Sequence, residues 1–301
     1  MILVTGGTGF VGSHLVPRLA ETGNRVRCLV RTPAKAKTLQ AHGVEPILGD
    51  VTNLSSLEQA MPGVDTVIHL VAIIRENKDV TFNRVNVQGT RNVVQAALRS
   101  GVKRFIHVSV LGANPNPKYC FTYSKWQGEE AVSSSHLDFI IIKPSVMFGR
   151  GAGLTDRLIQ SLMMFPFLAP IPGSGEARFQ PIWVVDVATC IVQALKGKKT
   201  GQTYELGGPE HLTYQQMLDT VIHILGIKRI KVHIPLPLMR PAVMAMEKVM
   251  PNPPVTLVEL GQLELDNTTA LNSVERLFGF KPLALSHGLD YIKPPSLPPP
   301  P

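Results

Sequence analysis

Residues 4–15 read VTGGTGFVGSHL and place Gly6, Gly9 and Gly12 at three-residue spacing directly after a short apolar run, ILV. That run is a β pattern, while Val11, Leu15 and Leu19 recur at helical spacing, so the glycines occupy a strand-to-helix turn. Without a Cβ the backbone can approach a pyrophosphate and present it to the unsatisfied N–H groups of a helix N-terminus. The stretch therefore predicts a dinucleotide-binding turn in which Thr5, Gly6, Gly7, Thr8, Gly9, Phe10, Val11 and Gly12 contact the cofactor. The spacing is Gly-x-x-Gly-x-x-Gly rather than Gly-x-Gly-x-x-Gly, and an ordinary glycine turn is the competing reading of this segment taken alone.

From this turn to about residue 150, short β-branched runs alternate with helical patterns, which predicts an α/β protein with a doubly wound parallel Rossmann-type sheet covered on both faces. The expected strands are RVRCLV, VEPILG, TVIHLV, RFIHVS and FIIIKP, and the longest expected helix runs from Val80 to Ser100. After Pro144 proline-punctuated segments follow: a helix in VVDVATCIVQALK, a strand in YELGG and a helix from Tyr214 to Leu225. We expect residues 1–150 to form an NAD(P)-binding domain, 151–293 a smaller substrate or partner portion packed on it, and 294–301 a disordered polyproline tail. The proline-bounded segment 235–255 reads as a helix that caps the core, with a membrane-surface or partner-docking role as its alternative.

Composition narrows the class. The chain of 301 residues is 44% hydrophobic and 17% charged, yet its most apolar stretch, 158–173, is broken by Gln160 and three prolines, so no transmembrane segment is expected. Cys28, Cys120 and Cys190 have neither metal-ligand spacing nor an even count, which predicts no metal site and a reducing compartment. The net charge of +8 favours anionic partners, but no basic run marks a nucleic-acid tail and no nucleic-acid partner is expected. A cytoplasmic location follows, with peripheral attachment to the inner face of the membrane as an extension of it.

In order along the chain, TGGTGFVG, GDVTN, VIHLVA, NVQGTRNVVQAA, FIHVS and KPSVMFGRG resemble the short-chain dehydrogenase/reductase superfamily in its extended and atypical branches. RFQPIWVVDVA, MPNPPVT and DNTTALNSVERLFGFKP resemble one group within it, similar to the nucleotide-binding accessory subunit of mitochondrial complex I. This resemblance covers nearly the whole chain except the polyproline tail. It implies a nicotinamide dinucleotide as cofactor and a respiratory or membrane complex as partner.

The residue ending the second strand discriminates the cofactors, because an acid there accepts from the ribose of NAD while a base neutralises the extra phosphate of NADP. Here it is Arg31, with Lys35 following on the next helix, so NADP is expected ahead of NAD. The resemblance further implies adenine contacts from Asp50 and Val51, strand-end contacts from Leu70, Val71 and Ala72, a tie from Asn86 to the catalytic lysine, and an approach of Pro144 and Ser145 to the nicotinamide.

Reductases of this superfamily combine a serine that orients a carbonyl, a tyrosine that passes the proton, and a lysine four residues later. A helix brings i and i+4 to one face, where the ammonium lowers the phenol pKa and holds the nicotinamide ribose. Ser109 and Lys125 match, but Phe121 stands at the tyrosine position, and a phenyl ring donates no proton in any environment. Tyr119 is the better substitute candidate, since Tyr123 points to another helix face. The expected function is thus an NADP-holding scaffold or assembly protein with a degenerate site. The alternatives are an oxidoreductase acting on a hydrophobic carbonyl or quinone-like substrate, and a nucleotide-sugar epimerase or dehydratase.

Overall fold

The computed structural model describes residues 1–151, 153–197, 199–250, 253–263, 265 and 267–293. The polyproline tail lies outside them. The first half contributes strands β1 (Ile2–Thr5), β2 (Val26–Val30), β3 (Glu45–Leu48), β4 (Thr66–His69), β5 (Arg104–Val108) and β6 (Asp138–Pro144). Between them run helices α1 (Phe10–Glu21), α2 (Pro33–Gln40), α3 (Leu54–Ala60), α4 (Thr90–Arg99) and α5 (Cys120–Ser133). The helix expected from Val80 begins instead at Asn83, as a π-helical segment Asn83–Gly89 that runs into α4.

The second half adds β7 (Met147–Phe148), β8 (Leu168–Pro172), β9 (Arg178–Phe179), β10 (Ile182–Trp183), β11 (Gln202–Leu206), β12 (Leu212–Thr213) and β13 (Ile230–Ile234). Its helices are α6 (Leu154–Met164), α7 (Val184–Lys196), α8 (Tyr214–Leu225), α9 (Leu236–Val249), α10 (Leu257–Gln262) and α11 (Ser273–Phe278).

Seven parallel strands form the central sheet in the order β11-β6-β5-β4-β1-β2-β3. The order reverses between β1 and β4, and open sheets of this kind bind ligands beyond the strand ends at such a point. Alternate side chains of each strand feed opposite faces. Ile2 and Val4 pack with Leu15, Leu19 and the α7 residues Val187 and Ile191, whereas Leu3 packs with Leu57, Val93 and Phe105 on the other side. That double burial is why β1 and the centre of β6 read as unbroken apolar runs rather than as alternation.

One assignment made from sequence changes. The helix 184–196 and the strand at YELGG, read as parts of the C-terminal portion, join the first sheet: α7 packs beside α1, and β11 pairs with β6 from Gln202 opposite Ile140 to Leu206 opposite Pro144. Their apolar faces match those of α1 and β6, and local pattern carries no record of which sheet a strand joins. A third core lies elsewhere, where Leu158 and Leu162 of α6, Ile171 of β8 and Met217 and Val221 of α8 pack around Phe148. Among the described residues no helix is long and apolar enough to cross a membrane.

Candidate functional site: a two-part cavity at the switch point

The glycine turn is built for close approach. Gly6 adopts φ +80° and its carbonyl accepts from Gly9 N–H at 3.0 Å, while a Cβ at Gly12 would stand 2.3 Å from the Gly6 oxygen. The α1 N-terminus carries no side-chain cap and no acidic residue in its first turn, so its N–H groups and positive dipole end face the cavity without competition.

This turn forms one wall of a cavity of about 1080 Å³. Gly6, Thr8, Gly9, Phe10, Val11 and Gly12 line it, joined by Arg31 and Lys35 beyond β2, Asp50 and Val51 beyond β3, and Leu70, Val71 and Ala72 beyond β4. Arg31 and Lys35 are exposed and make no ion pair among the described residues. Asp50 also caps its own turn, its Oδ1 accepting from the Thr52 N–H and hydroxyl, each at 2.8 Å.

Several expected contacts point elsewhere. Thr5 is fully buried and hydrogen-bonds His69 Nδ1 at 2.7 Å, and Gly7 faces the core, where a Cβ would stand 2.8 Å from Cys28 Sγ. Asn86 accepts from Ile73 N–H at 2.8 Å and donates to Ile73 O and Ser124 Oγ, so it braces the backbone after β4 against the residue beside Lys125 rather than reaching Lys125 itself. Pro144 pairs with Leu206, and Ser145 donates its hydroxyl to Gln180 O; Val146 and Met147 take the cavity wall instead. For Thr5, Asn86 and Ser145 a buried hydrogen-bond partner outcompetes the cavity, for Pro144 a sheet partner does, and Gly7 is held against the core.

At the inner end Ser109, Phe121 and Lys125 line the wall together. Lys125 is buried and donates to Val108 O at 2.9 Å. Burial pushes its ammonium down to about 8, with the Glu129 carboxylate opposing. Ser109 donates to Glu129 Oε1 at 2.5 Å, and Glu129 Oε2 pairs with Lys143 at 3.2 Å. Sequence reasoning missed Glu129, although 121, 125 and 129 are successive i+4 positions on one helix face. Phe121 packs on Phe82 with ring centroids 5.8 Å apart. Tyr119 precedes α5 and does not line the cavity; its hydroxyl lies 3.3 Å from Lys118 Nζ, and Tyr123 stacks on Trp126.

Behind this wall His69 and His107 stack at 5.4 Å, both fully buried. Burial first, and the Lys125 ammonium second, push His69 down to about 3 and His107 well below the ordinary 6.5. Because the folded values lie below the unfolded ones, the unfolded chain binds the extra protons, and stability falls as pH drops below about 6.5 and continues to fall towards about 3. At pH 5 the loss from His69 is about 2 kcal/mol. His107→Phe should therefore reduce the difference between urea denaturation at pH 7 and at pH 5; an unchanged difference would show that His107 is not held neutral.

The remaining wall comes from the C-terminal elements. Leu154, Leu158 and Phe165 around α6, Pro170 and Pro172 of β8, Ile234 of β13, and Leu238, Met239, Ala242 and Met246 of α9 line it. The proline-bounded helix α9 thus covers the cavity. Glu259 of α10 accepts from Arg157 and, at 3.0 Å, from Arg75, which also donates to Pro253 O. These bonds tie the cover to the loop after β4.

The profile of the NAD dependent epimerase/dehydratase family matches residues 2–207. The mitochondrial NADH dehydrogenase (ubiquinone) 1 alpha subcomplex subunit 9 of Arabidopsis thaliana is 30% identical, over 90% of this chain and 69% of that protein. A ceramide reductase of Caulobacter vibrioides is 31% identical over 79% of this chain and 74% of its own length. The crystal structure of gox2253 superposes with a TM-score of 0.78 at 25% identity, covering 96% of each chain. The glycine cradle, the strand order and these similarities agree, and the chain belongs to the NAD-dependent epimerase/dehydratase family.

Proposed function

We propose that this protein holds NADP(H) in the glycine half of the cavity and has little intrinsic turnover, acting as a cofactor-bearing accessory or assembly protein in the manner of the complex I subunits that it resembles. The observation that carries the reading is Phe121: it occupies the helix face shared with Lys125, where a tyrosine would place its hydroxyl, and among the described residues Lys125 donates to the Val108 carbonyl. Gly9 and Gly12 would seat the pyrophosphate, Arg31 and Lys35 the 2′-phosphate, Asp50 the adenine amine, and Lys125 the nicotinamide ribose. When bound, the nicotinamide supplies hydride-transfer chemistry; the chain itself supplies binding, orientation and exclusion of water. A cytoplasmic location, with peripheral contact to the inner face of the membrane, accompanies this reading.

The cofactor half is tested by Arg31→Ala. A charge-assisted phosphate contact contributes about 1.5–3 kcal/mol, so NADPH binding should weaken by about tenfold to a hundredfold while NADH binding stays nearly constant. Equal losses for both nucleotides in titration calorimetry would remove Arg31 from the site. Denaturing the purified protein and identifying the released nucleotide tests occupancy directly.

A second reading, an oxidoreductase acting on a hydrophobic carbonyl, draws on the apolar C-terminal wall and on the similarity to a ceramide reductase. It requires a proton donor other than residue 121. The nucleotide-sugar epimerase or dehydratase reading is weakened by the same missing phenol.

A further inference from the structure

The C-terminal half of the cavity is built differently from the glycine half. Its charged groups Arg157 and Glu259 bond each other, and burial pushes the Tyr214 phenol up to about 12, keeping it neutral. The walls facing that space are Leu158 and Phe165 on one side, Pro170 and Ile234 below, and Met239 and Ala242 above. Among the described residues the polar groups on these walls are few, Ser161, Tyr214 and Gln262 beside that ion pair, and burying a hydroxyl-rich ligand against the remaining hydrocarbon would leave its hydrogen bonds unmade.

One end of this space opens onto more apolar surface. Residues paired in a parallel ribbon share a face, so Pro172 opposite Ile234, Pro170 opposite Val232 and Leu168 opposite Ile230 form one apolar strip running outward from the cavity. Its outer members are exposed, Leu168 at 41% and Ile230 at 67%, and the cavity-lining Leu238 is 69% exposed at the rim. Single exposed apolar residues are ordinary; a strip continuous with a cavity marks a ligand path. A globular partner could cover the rim but could not fill a channel walled by α6, the β8–β13 ribbon and α9. A flexible hydrocarbon chain could do both.

We infer that the channel between α6, the β8–β13 ribbon and α9 binds the hydrocarbon chain of a lipid-like amphiphile, with the chain leaving past Phe165 and Leu238 and the polar end directed towards Ser109 and Lys125. This deepens the proposed function by naming the ligand class of the same cavity, and it rests on the glycine half being the cofactor site. The test uses the full chain with cis-parinaric acid as fluorescent probe and palmitic acid as competitor. Saturable binding, competed by palmitic acid, is expected at one probe per chain. Ala242→Trp, from the α9 wall, and Ser161→Phe, from the α6 wall, should each weaken it at least about tenfold by filling the channel while leaving NADPH binding intact. Probe affinity unchanged in both variants would place the probe on the outer rim and overturn the inference. A wild-type protein that binds NADPH but not the probe fails the channel alone, whereas one that binds the probe but not NADPH fails the cofactor reading alone.

Discussion

Phe121→Tyr is expected to raise NADPH-dependent turnover of hydrophobic ketones and aldehydes by about a hundredfold to ten-thousandfold. Residue 121 lies one helical turn before Lys125 on α5 and already lines the cavity, so the added hydroxyl would enter the site without moving backbone. The Lys125 ammonium is anchored on Val108 O at 2.9 Å, where its charge would lower the phenol pKa. Lys125→Ala in the Phe121→Tyr background should abolish the gain. Because burial holds Lys125 near 8, the gain should also fade as pH rises past about 8, when the ammonium is lost. Tyr119→Phe in the wild-type background is the control: brisk reduction by the unmodified protein, silenced by that change, would identify Tyr119 as the proton donor and end the scaffold reading.

Gly12→Ala is expected to damage fold and cofactor binding together. Its Cβ would stand 2.3 Å from Gly6 O and 2.6 Å from Gly7 Cα, both backbone atoms with no freedom to yield. Overpacking of this severity costs about 3 kcal/mol, and separating α1 from the turn should weaken NADPH binding by more than about a hundredfold. Gly9→Ala separates the two effects. Gly9 has φ −83°, which any residue adopts, and its Cβ would meet only Gly6 O at 3.2 Å before entering the space above the turn. That variant should keep the wild-type melting temperature and still lose NADPH. If Gly12→Ala melts and binds like wild type, the turn does not hold the backbone geometry described.

Much of the site was legible in the sequence because the turn and the i+4 face are local. Gly6, Gly9 and Gly12 declare a tight strand-to-helix turn whatever surrounds them, and 121 and 125 share a helix face through helical geometry alone. Arg31 and Lys35 were legible for the same reason, since a strand end and the next helix start are neighbours in sequence as in space. Glu129 obeyed the same periodicity and was missed only because the superfamily pattern stops at the lysine.

Other assignments depended on partners far along the chain. Asn86 faces Ile73 and Ser124, Ser145 faces Gln180, and Thr5 faces His69; a buried hydroxyl or amide turns to whichever orphaned group packing brings near, and no local pattern records that choice. The placement of α7 and β11 in the first sheet was likewise decided by which apolar surfaces were left uncovered. By itself the sequence determined the α/β class, the nucleotide turn, the basic strand end and the missing phenol, all set by residue type and short spacing. Only the tertiary structure decided that α9 and α10 fold back over the cavity, tied through Glu259 to Arg75 and Arg157, because burying apolar surface and pairing partly buried charges are properties of the assembled chain.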